Sequence, residues 1–218
     1  MRGPVNGFIV HAPINGSMHT WWAGARVARW SHPAEVGSLS FGIEVATTDG
    51  SNTLINGTSD WVNEEELDLR DCFRWSPDGQ SIAFWQFDTT RVREFQLVNN
   101  TDDTYPRITS FAYPKTGEQN SATRIGIVSA DGGSVRWLNI PGDPREHYLP
   151  HMEWTPNGSQ LMLQQLNRLQ NTNRVMLADP KTQTTRVILT EMDDAWLENE
   201  NPIRWIKGRS LIKSKAIC

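Results

Sequence analysis

Short apolar runs alternate with turn residues along this chain, and the runs come in pairs. Phe73-Arg74-Trp75-Ser76-Pro77-Asp78-Gly79 is followed by Ser81-Ile82-Ala83-Phe84, and Met152-Glu153-Trp154-Thr155-Pro156-Asn157-Gly158 by Gln160-Leu161-Met162-Leu163. A degraded third copy reads Ile203-Arg204-Trp205-Ile206-Lys207-Gly208. In each, a strand ends in Trp, and in the two full copies Pro presets φ at the first corner. Asp or Asn followed by Gly takes the tight positions, and a second strand returns. Two further hairpins follow from Arg124-Ile125-Gly126-Ile127-Val128-Ser129 with Ser134-Val135-Arg136-Trp137-Leu138, and from Arg174-Val175-Met176-Leu177-Ala178 with Thr185-Arg186-Val187-Ile188-Leu189. Helical periodicity is confined to the acidic residues 64–70, enough for one or two turns. The pattern predicts an all-β chain.

The spacing of the tryptophans sharpens this expectation. Trp154 and Trp205 lie 51 residues apart, near the period of a four-stranded propeller blade. Trp75 and Trp154 lie 79 apart, which fits either one blade with a large insertion or two blades of which one lacks the motif. The hairpin at 124–138 favours two blades. The predicted fold is a partial β-propeller of four-stranded antiparallel blades, about three to four of them. Residues 1–44 show no blade period, and Trp21-Trp22 and Trp30 lack an evident strand context. Residues 209–218 break off where another strand should follow Trp205. The expected organisation is an unmatched segment over 1–44, the propeller part over 45–208 and an unmatched tail over 209–218.

Composition narrows the function classes. Ten Trp against 3 Tyr, with 16 Gly and 12 Pro spread through 218 residues, suit many short strands joined by tight turns. The net charge of −4 and the lack of a basic stripe argue against nucleic acid. No run approaches the roughly 18 apolar residues of a membrane helix, and the N-terminus makes a poor signal peptide. Cys72 and Cys218 are too few for a disulfide framework or a zinc ribbon, and Cys72 reads as a packed thiol. His147 and His151 have i, i+4 spacing, but Pro150 stands between them and no third ligand is near, so no metal site is expected. Asn56-Gly57-Thr58 and Asn157-Gly158-Ser159 match the glycosylation pattern but are explained as turns. The acidic run over 191–200 reads as a solvated loop between blades.

The stretch that suggests chemistry is Asp60-Trp61-Val62-Asn63-Glu64-Glu65-Glu66. Residues 60–71 hold six acidic residues and one Arg. Such a run is ordinarily a solvated face. Here it is held between Trp61 and the Trp75 blade motif. Adjacent carboxylates repel one another unless a cation compensates, and an α-ammonium group is such a cation.

The run Asn56-Gly57-Thr58-Ser59-Asp60-Trp61-Val62 with Glu64-Glu65-Glu66-Leu67 resembles the double-glutamate segment of the dipeptidyl peptidase IV family of the prolyl oligopeptidase clan. The resemblance continues through Arg74-Trp75-Ser76-Pro77-Asp78-Gly79, Ala83-Phe84-Trp85-Gln86-Phe87-Asp88, Thr104-Tyr105-Pro106 and Tyr113-Pro114-Lys115-Thr116-Gly117 with Asn120-Ser121. It spans about residues 46–208. It implies an N-terminal β-propeller that caps an α/β-hydrolase. It also implies that Glu65 and Glu66, flanked by Glu64, bind the free amino group of a peptide substrate. The chain departs from the family at Asn63, where an aromatic residue is usual, and lost packing there would loosen the acidic helix. Residues 1–44 offer no match to the arginine that the family draws from an upstream blade.

No Gly-x-Ser-x-Gly nucleophile elbow occurs; Gly79-Gln80-Ser81-Ile82-Ala83 comes within one residue but lies in a blade turn. The expected function is that of a substrate-recognition propeller fragment from a serine dipeptidyl peptidase that removes X-Pro or X-Ala dipeptides. Its partners would be a peptide N-terminus and a hydrolase domain absent from this sequence. It should have no catalytic residue, metal or cofactor of its own and be inactive alone. The alternative is a stand-alone propeller acting as a binding or scaffold module. An open ring exposes strand edges, so marginal stability and homo-oligomers through those edges are expected. The family implies a periplasmic, secreted or membrane-anchored extracellular location. A truncated or frame-shifted reading frame is a third possibility, and it would account for the two ends.

Overall fold

The computed structural model describes residues 53–197 in full, the backbone of residues 8–12, 28–33, 39–45, 203–206 and 210–213, and the side chain of Trp205. β1 (Phe8–Ala12), β2 (Ala28–Pro33) and β3 (Leu39–Val45) form an antiparallel sheet in the order β1-β3-β2. Trp30 therefore lies in a strand, contrary to the sequence reading. The connections over 13–27 and 34–38 lack the Trp-Pro-Gly turn on which that reading relied. Trp21-Trp22 lie outside the described residues.

The second sheet is built around β6 (Ser81–Asp88), buried along most of its length. One edge of β6 pairs with two short strands in succession. β4 (Leu54–Asn56) meets residues 86–88, and β5 (Phe73–Trp75) meets residues 82–84. Between them the chain leaves the sheet to form α1 (Trp61–Leu67). Trp85 stitches the gap: its carbonyl accepts from the Gly57 N–H at 3.0 Å and its N–H donates to the Cys72 carbonyl at 3.0 Å. The Cys72 N–H donates to the Gly57 carbonyl at 3.2 Å, closing the base of the excursion.

The other edge of β6 corrects the two-blade expectation. β7 (Glu94–Asn99) and β8 (Arg107–Ala112) pair only with each other, as an exposed hairpin. The chain then returns as β9 (Ala122–Ser129), which pairs with β6 from Ser81↔Ser129 to Asp88↔Ala122. β10 (Arg136–Trp137) completes the order β10-β9-β6-β4. The long interval thus holds one blade with a hairpin inserted between its second and third rows. The hairpin over 124–138 forms as the sequence predicts; the strand on its far side, β6, lies upstream of the inserted hairpin, beyond any local pattern.

The third sheet runs β11 (His147–Trp154), β12 (Leu161–Asn167), β13 (Thr172–Ala178) and β14 (Thr185–Met192) in plain antiparallel order. Both Trp-Pro-Gly units behave as expected: β5 ends at Trp75, β11 ends at Trp154, and Gly79 and Gly158 each take φ of +68°. His147 and His151 lie on β11. Glu191 belongs to β14 rather than to a loop; Asp193 and Asp194 are exposed and residues 198–200 lie outside the described residues. β15 (Ile203–Ile206) pairs with β16 (Ser210–Lys213), so a strand does follow Trp205, and the expected break is corrected.

The second and third sheets share one core. Trp85, Phe87, Ile125 and Ile127 of one pack with Leu149, Met152, Leu161, Leu163 and Met176 of the other, and Cys72 is buried among them. Each large apolar side chain so buried contributes roughly 1.5–3 kcal/mol. Two indoles also bond across the gap: Trp85 Nε1 donates to the Leu149 carbonyl at 2.8 Å, and Trp154 Nε1 to the Arg74 carbonyl at 3.0 Å. Trp is thereby both filler and staple, as befits an amphipathic ring whose N–H needs a partner when buried. Burial pushes the Cys72 thiol up to about 12, leaving it un-ionised at neutral pH.

Candidate functional site

α1 is an excursion from one edge of the second sheet, and its N-terminus is tied down on the core side. Asp60 is the N-cap: its Oδ1 accepts from the Asn63 backbone N–H at 3.0 Å and from Asn63 Nδ2 at 2.7 Å. Asp60 Oδ2 accepts from the Ser121 hydroxyl, which brings in the segment that follows the inserted hairpin. The neighbouring Asn120 Nδ2 donates to the Tyr148 hydroxyl at 2.7 Å, carrying the connection on to β11. Trp61 leans on Tyr113 with ring centroids 4.2 Å apart. At the other end Asp68 takes the left-handed conformation, φ 52°, and Leu67 and Leu69 pack against the shared core. The helix starts three residues earlier than the sequence suggested, because Asp60 can cap and Trp61 has a partner.

Asn63 explains how the chain dispenses with an aromatic residue at this position. It is 3% exposed, and its carbonyl accepts from the Leu69 N–H at 3.1 Å. The amide has joined the cap instead of leaving a void, although its Oδ1 has no partner. The position is held by hydrogen bonds rather than by packing, so the loosening expected from the missing ring is not what the geometry displays.

This frame presents Glu64, Glu65 and Glu66 outward. All three are exposed, and none has an ion pair with another described residue. Consecutive side chains on an α-helix diverge by about 100°, so Glu65 and Glu66 bracket a wedge of solvent above the helix. The arrangement can receive a small cation from two directions. Ser81, the residue of the near-miss elbow motif, begins β6 and donates its N–H to Ser76 Oγ within the blade turn. No metal-ligating cluster is found among the described residues. The sequence alone assigns no role to Asp60, Tyr113 or Ser121. The three-residue spacing of Asp60 and Asn63 is the signal for the cap, whereas Ser121 is reached only through the fold.

The family model described as "Dipeptidyl peptidase IV (DPP IV) N-terminal region" matches residues 39–215. This chain belongs to that family. Among its relatives, the probable dipeptidyl peptidase 4 of Aspergillus clavatus is 32% identical over 170 residues, covering 73% of this chain and 22% of that protein. Dipeptidyl aminopeptidase B of Saccharomyces cerevisiae is 32% identical over 163 residues, covering 72% and 20%. The inactive dipeptidyl peptidase 10 of Mus musculus is 30% identical over 164 residues, covering 72% and 20%. The chain thus spans about a fifth of the length of these relatives. The crystal structure of Porphyromonas gingivalis dipeptidyl peptidase 4 superposes with a TM-score of 0.72 at 27% identity, over 79% of this chain and 25% of that one. With that neighbour, the antiparallel sheets of this DPP IV N-terminal region form a partial β-propeller.

Proposed function

We propose that this chain is the substrate-recognition part of a serine dipeptidyl peptidase, with Glu65 and Glu66 binding the α-ammonium of a peptide and Glu64 flanking them. The observation that carries the reading is a pair of adjacent, exposed carboxylates with no cationic partner among the described residues, on a helix whose buried cap is bonded to Ser121 of a distant segment. Repulsion among these carboxylates is relieved when an ammonium bridges them through charge-assisted hydrogen bonds. The Ser-His-Asp chemistry would belong to an α/β-hydrolase domain outside these 218 residues. In this reading residues 45–208 are the propeller part, with 1–44 and 209–218 as flanks, and strand edges are the contacts for a homo-oligomer. The removal of X-Pro or X-Ala dipeptides is the activity to which the recognition site would contribute.

The test uses a hydrolase-containing enzyme that carries this propeller. Glu65→Ala or Glu66→Ala should lower kcat/KM on a free-amino X-Pro substrate by about two orders of magnitude, since a hydrogen bond to a charged group contributes roughly 1.5–3 kcal/mol. The N-acetylated substrate should be poor already and change little. Equal losses on both substrates would make the glutamates structural. A second reading, a binding module without peptidase activity, draws support from the relative described as inactive. It would be favoured if the unblocked substrate bound through Glu65 and Glu66 but no turnover followed.

A further inference from the structure

A pocket of about 250 Å³ lies away from α1, between the third sheet and the loop that leads into β11. At about 30 Å³ per water it has room for several waters or for one small organic molecule. Its floor is a polar relay. The Thr123 carbonyl can only accept, so His147 Nε2 carries the proton that bonds to it at 3.2 Å, and His147 Nδ1 accepts from Gln165 Nε2 at 3.0 Å. The second hydrogen of that amide goes to the Pro141 carbonyl at 2.6 Å. The relay fixes His147 as neutral and uses both amide hydrogens of Gln165. Gln165 is only 5% exposed, and its Oε1 is left without a partner.

The charges on the walls do not cancel locally. Arg174 stands directly opposite Gln165 across the β12–β13 pair, on the same sheet face. Its guanidinium has no hydrogen bond or ion pair with a described residue. On the covering loop, Asp143 accepts the Arg145 backbone N–H at 2.9 Å and has no cationic partner among the described residues. Glu146 is already paired with Arg168 at 3.3 Å. Arg174 and Asp143, both exposed, therefore line the same pocket without pairing with each other or with another charged described residue.

We propose that this pocket binds a small zwitterion, a free α-amino acid or a short unblocked peptide, with its carboxylate on Arg174 and its ammonium on Asp143. A ligand carrying both charges satisfies both walls at once, whereas a simple anion leaves Asp143 repelling it and a simple cation meets Arg174. A planar guanidinium also suits a carboxylate in bidentate geometry. The site is independent of the glutamates on α1.

The experiment is a two-dimensional ¹H–¹⁵N NMR titration of the full chain with L-alanine and with alanylalanine. The two probes distinguish a free amino acid from a peptide. Saturable shifts are expected at residues 141–147, 165 and 174, weakened at least tenfold by Arg174→Gln and by Asp143→Asn. Signal dispersion reports whether each variant folds. N-acetylalanine and alaninamide test the same two contacts on the unaltered chain, and each should bind at least tenfold more weakly than L-alanine. Absence of saturable shifts with both probes overturns the proposal, as does blocked alanine binding as tightly as the zwitterion. Shifts confined to residues 60–67 would report the glutamate site and overturn this one.

Discussion

At the scale of single residues, Asp60 holds more of the candidate site together than the glutamates do. One oxygen serves two donors of Asn63 and the other serves Ser121, 61 residues away. Removing an N-cap side chain costs about 0.5–2 kcal/mol, and here it also leaves Asn63 Nδ2 and the Ser121 hydroxyl unpaired in a buried setting. Asp60→Ala should therefore cost about 2 kcal/mol in a urea titration. Asp60→Asn should cost less, because its amide oxygen can still accept from the Asn63 backbone while its NH₂ donates to the serine. Equal losses for the two variants would show that the cap is not the source. The exposed glutamates were legible in the sequence, since three consecutive carboxylates have nowhere else to go. The part played by Asn63 was not: the sequence shows only a missing aromatic ring, and the hydrogen bonds that replace it depend on an N-cap geometry that spacing alone does not determine.

Elements were legible wherever a tight turn joins them. The Trp-Pro-Gly units and the turn at Gly132-Gly133, with φ of +86° and +104°, gave hairpins at the expected places. What escaped is pairing across the inserted hairpin, because β6 and β9 are separated in sequence by residues 94–112, which pair with each other. Gly126 marks that pairing. It sits opposite Phe84 on β6 and Trp137 on β10, and a Cβ there would lie 2.7 Å from Val135 Cγ1, 2.8 Å from Phe84 Cζ and 2.9 Å from Trp137 Cζ3. Three packed side chains would have to move together. Gly126→Ala should destabilise the chain by about 1–3 kcal/mol, the usual cost of overpacking. Adding Val135→Ala should recover only part of this, since both rings remain. A melting temperature unchanged by Gly126→Ala would mean that this strand row is looser than its contacts imply.

At the scale of the whole molecule, stability depends on how the second and third sheets are joined, and several of those joints titrate on the acid side. Arg145, on the connecting loop, donates to the Asp88 carboxylate at 2.8 Å and to the Asp88 and Asn120 carbonyls at 3.0 Å each. Burial alone would raise the Asp88 carboxyl, but hydrogen bonds from Thr90 and the Arg145 charge together hold it below its ordinary value. His147 and His151 on β11 are lowered, chiefly because burial disfavours the imidazolium; for His151 the nearby Arg74 adds to this and Glu153 opposes it. All three groups bind protons more tightly when unfolded than when folded. Each therefore stabilises the fold above its unfolded pKa and loses that contribution as pH falls through its lower folded pKa. The histidines should give a first decline below about pH 6.5 and Asp88 a second below about pH 4. Melting temperatures measured from pH 7.5 downward should fall in those two stages. His147→Gln should lower stability at neutral pH yet flatten the first stage, because a neutral amide can be buried in the relay without gaining a proton. Asp88→Asn should flatten only the second. A melting temperature that rises on acidification, or a first stage untouched by replacing either histidine, would mean that the joint between the sheets is not what titrates.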